Sequence, residues 1–187
     1  MIDDNGYKIL DIGCNDGSFS KFLKKQNNYV VGIEINKILA MEAKKKIDRV
    51  IIQSAEQSWE IKTCDFDIVH MGAFLEHIFD YNFILEEANR VLKKGGLLII
   101  SVPCITYLLN RIKLLFGLHP FWYEEFQHIR IWSKPFLEKK LKEHGFKPLL
   151  WRGAFIRHFS KIEFFVNLLS KIFPAFFPIL IVKAKKL

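Results

Sequence analysis

Two glycines and an asparagine punctuate the segment ILDIGCNDGSF, residues 9–19. Gly13 and Gly17 carry no Cβ, so the backbone there can approach a ligand closely. Asn15 tolerates the left-handed region and can stand in for a third glycine. An apolar run enters this turn and a helical spacing leaves it. Free N–H groups at the start of that helix favour a carboxylate or phosphate. The dinucleotide fingerprint G-x-G-x-x-G fits poorly, because Asn15 and Ser18 stand where its second and third glycines belong. Glu34 ends a second apolar run, VVGIE, where an α/β site places a carboxylate on ribose hydroxyls. That acid suits any adenosine-containing cofactor. His77, in LEHI, and His128, in QHIR, are candidate general bases. Replacing a true base with Ala abolishes turnover and spares cofactor binding. A Cys104 thiolate after Pro103 could attack a pyrimidine ring, but a small buried residue is the better reading. Glu125-x-x-His128 is a lone acid–His pair. Bundle-type centres need two such pairs and further acids, so no metal site is expected.

The elements that must position these residues alternate in type. Lys8–Ile12 reads as a strand. Phe19, Phe22 and Leu23 follow at helical spacing through Lys25. Tyr29–Ile35 is a second strand, and Asn36 caps a helix carrying Ile38, Leu39, Ala43 and Ile47. Val50–Ile52 and Phe66–His70 are further strands. Phe83–Leu92 is a helix whose C-terminus Lys93, Lys94 and Gly95 suit. Leu97–Val102 is a fifth strand, stopped by Pro103. Ile105–Phe116 reads as helical. Ser133 caps a helix with Pro135 in its first turn and Gly145 at its end. Phe146–Trp151 and Pro178–Lys183 are two last strands, with a helix over Phe159–Phe173 between them. Such alternation means right-handed crossovers. The expected architecture is a doubly wound α/β fold: a Rossmann-like, mostly parallel seven-stranded sheet with helices on both faces. A single domain is expected over residues 1–187. Residues 1–103 form its cofactor-binding half and 104–187 its acceptor-side half, with an aromatic insert near 105–132.

The segment ILDIGCNDGSF resembles motif I of the class I S-adenosylmethionine-dependent methyltransferases, and the resemblance continues in order along the chain. VVGIEIN resembles their ribose-binding second strand. FDIVHMGAFLEHIFD resembles their fourth strand with its L-E-H turn. ANRVLKKGGLLIISVP resembles their R-V-L-K-P-G-G strand, with Lys94 in place of proline. NRIKLLFG, HIR and a helix ending in HGF are similar to the UbiE/type 11 and MetW-like branch.

The resemblance implies S-adenosyl-L-methionine as cofactor and S-adenosyl-L-homocysteine as product. It implies that Asp11 and Gly13 contact the methionine portion, and that Cys14, Asn15 and Gly17 line the same turn. Glu34 would accept both ribose hydroxyls, with Ile35 against adenine. Ser54 replaces the usual Asp that meets the adenine amino group, and the Ala55 N–H would donate to the ring. The Met71 carbonyl would take the methionine ammonium. Methyl transfer needs orientation and a dry pocket rather than a triad or metal. The aromatic tract Phe116–Trp132, with Trp122 and Tyr123, is expected to line the acceptor; the plainer reading is that its rings fill the core. Related enzymes commonly carry a helix over the cofactor upstream of the first strand. A start so close to that strand suggests a short chain, an open site or cover from another subunit.

Length and composition bound the partners. The chain has 187 residues, 28 Lys plus Arg against 20 Asp plus Glu, and a formal charge of +8. That balance attracts nucleic acid or acidic lipid, but the lysines are dispersed, which favours a solubilising role. Cys14, Cys64 and Cys104 stand too far apart for a disulfide scaffold or zinc site. No signal peptide opens the chain, and Ile172–Val182 is too short to span a bilayer. A cytoplasmic protein is expected, with a small-molecule acceptor. Peripheral membrane contact and a homodimer are compatible with this, and nucleic acid is not favoured. The alternatives are a non-catalytic cofactor-binding regulatory partner, or an RNA or lipid methyltransferase.

Overall fold

The structure, a computed structural model, describes residues 6–24, 27–121, 128–155 and 163–187. One seven-stranded sheet organises them, in the order β3-β2-β1-β4-β5-β7-β6. β1 (Lys8–Ile12), β2 (Tyr29–Glu34), β3 (Arg49–Ile52), β4 (Phe66–Gly72) and β5 (Leu92–Pro103) run parallel. β7 (Ile179–Lys186) lies antiparallel between β5 and β6 (Phe146–Ala154), so the sheet is mixed. Strand order reverses beside β1, between β2 and β4. That crevice, at the C-terminal strand ends, is where open α/β sheets bind ligands.

The strands read as apolar runs because both faces are covered. Leu10, Ile12, Val69, Met71 and Leu98 join one buried cluster with α3 (Tyr81–Val91) and α5 (Lys134–Glu143). Ile9, Val30, Ile68 and Ile99 join the opposite cluster with α2 (Lys37–Ala43). Asn36 caps α2, its side chain accepting from the Ile38 and Leu39 N–H groups at 2.9 and 3.2 Å. Ser133 caps α5 through the Phe136 N–H, with Pro135 in the first turn and Gly145 at φ +76° beyond the end. Each is the cap chemistry the sequence displays.

Three local readings are corrected. α3 begins at Tyr81, because the Asp80 side chain accepts from the Phe83 N–H. It ends at Val91, and Leu92 is already extended, so Lys93, Lys94 and Gly95 belong to β5. α1 (Ser20–Lys24) is one short turn, and Phe19 and Phe22 face outward, at 56% and 63% exposure. Its apolar spacing is not a core stripe. α4 (Leu108–Leu115) begins later than its spacing suggests. α6 is described over Glu163–Ile172, and the expected start at Phe159 lies outside the described residues. Among the described residues no helix is long and apolar enough to cross a membrane.

The R-V-L motif is structural. The Arg90 guanidinium donates to the Trp59 and Ile61 carbonyls at 3.1 and 2.7 Å, and it pairs with Glu87 at 2.6 Å. It ties the loop after β3 to α3, which sets the turn where an adenine would lie.

Candidate functional site

The bend after β1 has the backbone its residues require. Gly13, Asn15 and Gly17 have φ of +70°, +52° and +74°. The Gly13 and Cys14 N–H groups donate to the Ile33 carbonyl at 2.9 and 3.1 Å, tying the bend to β2. Gly17 serves packing: a Cβ there would lie 2.9 Å from Ala43 Cα of α2. Lys46, just past α2, grips Asp16 at 2.7 Å.

A cavity of about 530 Å³ opens over this bend, within the range of small-molecule sites. Asp11, Gly13, Cys14 and Asn15 line it, as the sequence leads one to expect. His70, Gly72, Ala73 and Ser101 line it too, from the ends of β4 and β5. Met71 points its side chain the other way, into the core. Alternation along a strand explains the difference: residues 70 and 72 share the face opposite to 71.

Motif reading gives His70 no role, because its partner Asp11 lies 59 residues away in the sequence. Its Nδ1 lies 2.7 Å from Asp11 Oδ1, and Ser20 Oγ donates to Asp11 Oδ2 at 2.5 Å. Asp11 is buried, and both its oxygens are engaged. The Asp11 contact assigns the proton to His70 Nδ1 in the neutral ring, leaving Nε2 as an acceptor. Phe19 stacks on the imidazole with centroids 4.8 Å apart. A Cβ on Gly72 would come within 2.7 Å of His70 Cε1, so only glycine leaves the ring this place. If His70 holds the amino-acid end of the cofactor, His70→Ala lowers affinity for S-adenosylhomocysteine about 10-fold, one charge-assisted hydrogen bond. Affinity for 5′-methylthioadenosine, which lacks that end, stays unchanged. Calorimetry with both ligands decides; equal losses for the two would place His70 elsewhere.

The C-terminal end of β2 is an open shelf. Glu34 accepts the Asn15 N–H on Oε2 at 2.9 Å and the Asn36 N–H on Oε1 at 2.8 Å. Each oxygen keeps a lone pair for a hydroxyl. Ile35, the next residue, is 69% exposed, an apolar side chain left for a planar base to cover. β2 and β3 pair Glu34 with Ile52, which brings the turn containing Ser54 and Ala55 alongside. Ser54 Oγ accepts the Glu56 N–H at 3.2 Å, so it stabilises its own turn. The Cys14 thiol is buried near Asp11 and Glu34, and burial first, then those charges, pushes its pKa up to about 12. It lines the bend as an inert group.

The two candidate bases lie past β4. The short 3₁₀ turn Leu75–His77 carries Glu76 and His77. The Ile129 and Arg130 N–H groups both donate to the Glu76 carbonyl, at 3.0 and 3.2 Å. The Arg130 guanidinium donates to the Ile78 and Phe79 carbonyls. These bonds clamp the segment after residue 127 onto the turn, and the His77 and His128 rings meet at 5.0 Å between centroids. The two candidate bases, distant in sequence, are therefore neighbours. Glu76 stands with them: one ligand-capable atom of each of the three lies within 4.8 Å of the others. The sequence reading passed over Glu76, since an acid in an L-E-H turn reads as solvated.

Glu76 is 1% exposed, and among the described residues neither carboxylate oxygen has a hydrogen-bond partner. Burial raises its pKa from 4.5 to about 7. The unfolded chain sheds this proton first as pH rises above 4.5. Stability therefore falls between pH 4.5 and 7 and carries a constant cost of order 3 kcal/mol above that. In chelator-treated protein, Glu76→Gln should raise the melting temperature by roughly 5–10 °C at pH 8 and leave it unchanged at pH 4. Thermal melts at the two pH values check this; an equal shift at both refutes it.

The aromatic tract divides. Trp132 is fully buried, bridged to Cys104, with its ring edge-on to Tyr81 at 5.3 Å, so the core reading holds there. Cys104 is buried as well, which fits the small-residue reading. Phe116 and Phe121 are exposed. Trp122, Tyr123 and Glu125 lie outside the described residues.

Comparison with known proteins agrees with this arrangement. Residues 2–150 match the family described as "Methyltransferase domain". An uncharacterised protein of Methanocaldococcus jannaschii is 30% identical over 161 residues, covering 82% of this chain and 71% of its own. The ubiquinone biosynthesis O-methyltransferase of Pelagibacter ubique is 30% identical over 98 residues, 50% of this chain; the match spans 41% of that enzyme. A solved S-adenosylmethionine-dependent methyltransferase from Thermotoga maritima has the same fold, with TM-score 0.72 at 23% identity, covering 97% of this chain and 82% of that one. With its 3-2-1-4-5-7-6 sheet and glycine-bent β1 crevice, the chain belongs to the class I S-adenosylmethionine-dependent methyltransferase family.

Proposed function

We propose that this chain transfers a methyl group from S-adenosylmethionine to a small-molecule acceptor seated beyond the ends of β4 and β5. The observation that carries the reading is the cavity over the Gly13–Asn15 bend, with the Asp11–His70 pair on its wall and the Glu34 shelf beside it. The residues present fit the cofactor: Asp11 and His70 line the cavity, each Glu34 oxygen keeps a lone pair beyond its backbone bond, and Ile35 is bare. The bound cofactor supplies a methyl group activated on a sulfonium.

The chain's own residues then bind and orient. Glu34 holds ribose hydroxyls, Ile35 and the Ala55 turn flank the base, and His70 meets the amino-acid end. Phe74 packs across Gly13, its ring where a Cβ at that position would be. His128 and Arg130 line a small void against Pro103 and Cys104, at the end of β5. That void, about 20 Å³, has room for little more than a water, so the acceptor sits outside it against the paired His77 and His128 rings, either of which can take a proton the acceptor gives up. The test is calorimetry with S-adenosylhomocysteine, followed by transfer of labelled methyl to panels of hydroxylated, amine and carboxylate acceptors. Tight binding with no turnover on any panel favours the regulatory alternative. No binding to properly folded protein removes the reading.

A second reading, an acceptor with a long apolar chain met at a membrane surface, has its own support. An apolar cavity of about 410 Å³ lies between α4 and α6, lined by Tyr107, Leu109, Leu169, Phe173 and Phe177. Leu108, Ile112, Leu168 and Ile172 are exposed on the same helices. Co-sedimentation with anionic vesicles tests it.

A further inference from the structure

We propose that Glu76, His77 and His128 form a binding site for a divalent first-row cation at the acceptor end of β4 and β5. The use of this site rests on the methyltransferase reading; its geometry does not. The sequence offered no such site, because its ligands are split between a 3₁₀ turn and a segment some fifty residues later.

Two independent observations converge. The first is position. One carboxylate oxygen and two imidazole nitrogens come within 4.8 Å of one another. A tetrahedral cation bonded at about 2.0–2.2 Å holds its ligands about 3.3–3.6 Å apart, so rotation of the exposed His77 side chain is needed to close the triangle. The backbone needs no change, since residues 129 and 130 already hydrogen-bond to the Glu76 carbonyl. The second is an unmet charge. Glu76 is 1% exposed, with both oxygens lacking partners among the described residues. A buried carboxylate in that state is costly unless something positive completes it. Arg130, whose backbone N–H bonds to the Glu76 carbonyl, has its guanidinium committed to the Ile78 and Phe79 carbonyls and to the face of Tyr81 at 4.6 Å.

The donor set selects the ion. Two imidazoles and one carboxylate with no thiolate suit Zn²⁺, Fe²⁺ or Mn²⁺ and disfavour Cu⁺, while Mg²⁺ and Ca²⁺ prefer all-oxygen shells. Three protein ligands leave positions open, as in catalytic rather than structural sites. An oxygen of the acceptor, hydroxyl or carboxylate, fits such a position. His77 and His128 then act as ligands, not as bases, and the bound cation lowers the acceptor's own pKa.

The experiment uses the full chain after chelator treatment. Co²⁺ is titrated in, followed by visible absorption, and Mn²⁺ by calorimetry. One equivalent should bind at micromolar or tighter affinity, with d–d bands and no thiolate charge-transfer band. Glu76→Gln and His128→Ala should each weaken Mn²⁺ binding about 100-fold, and Cys64→Ser, at the exposed thiol, should change nothing. His77→Ala, at an exposed position, gives a variant safe from folding defects and should weaken binding too. Affinity no better than millimolar, or binding untouched by Glu76→Gln and His77→Ala, overturns the site. S-adenosylhomocysteine binding is measured on the same samples. Its loss with the cation still bound would sink the methyltransferase reading and leave the site standing.

Discussion

Replacing Glu34 with Ala should all but abolish cofactor binding. Its carboxylate holds the Asn15 and Asn36 N–H groups at 2.9 and 2.8 Å and retains lone pairs toward the crevice. Two ribose hydroxyls on an ionised acceptor contribute about 1.5–3 kcal/mol each. Losing both weakens S-adenosylhomocysteine binding by about 100-fold or more, and the freed bend adds to the loss. Glu34→Gln keeps one acceptor oxygen and should fall between. Calorimetry on the three proteins reads this directly. An Ala variant that binds within a few-fold of the parent would move the ribose site away from β2. Thermal stability should fall as well, since Glu34 is buried and its loss leaves the Asn15 and Asn36 N–H groups without their acceptor, so binding is compared below the melting temperature of each variant.

The largest stability effect is expected at Trp132. The ring is fully buried, packs edge-on to Tyr81 and lies 5.5 Å from Phe136, centroid to centroid. It also joins the acceptor-side chain to the sheet, because Cys104 bridges to it and the Ile105 N–H donates to its carbonyl at 2.9 Å. Trp132→Ala should cost about 3–5 kcal/mol through lost burial and the cavity left behind. At this chain length that is a fall of roughly 8–16 °C in melting temperature. Trp132→Phe should cost far less. The indole N–H is buried with no partner among the described residues, so its removal relieves a penalty that offsets part of the lost volume. Melting curves distinguish the two. Equal losses would mean that the indole nitrogen is satisfied after all.

These effects separate what the residues display from what they conceal. The cofactor half was legible because its chemistry is local. Gly13, Asn15, Gly17 and Glu34 fall within two strands and one bend, and their φ values and partners are those their residue types prescribe. Asn36 and Ser133 announced their helices for the same reason. Concealment began where roles depend on distant partners. His70 gains its meaning from Asp11, 59 residues away, and Glu76 from His128. No periodicity encodes such pairs. Apolar spacing misled at Phe19, Phe22 and Ile38, all exposed, because a helix on the rim of a crevice has little core to cover. Lys93–Gly95 misled differently: cations followed by glycine suit a helix end, but Gly95 at φ +77° here bends the entry to β5.

The antiparallel seam between β5 and β7 has a consequence for the nascent chain. Leu97–Pro103 pairs with Ile179–Lys185, a partner that leaves the ribosome only after some seventy further residues. Until then, β5 presents an unsatisfied apolar edge to its surroundings. Another copy at the same stage can supply the missing strand, giving intertwined or aggregated product instead of the correctly paired sheet. Slow translation or high expression temperature should therefore harm yield more than folded stability alone would suggest.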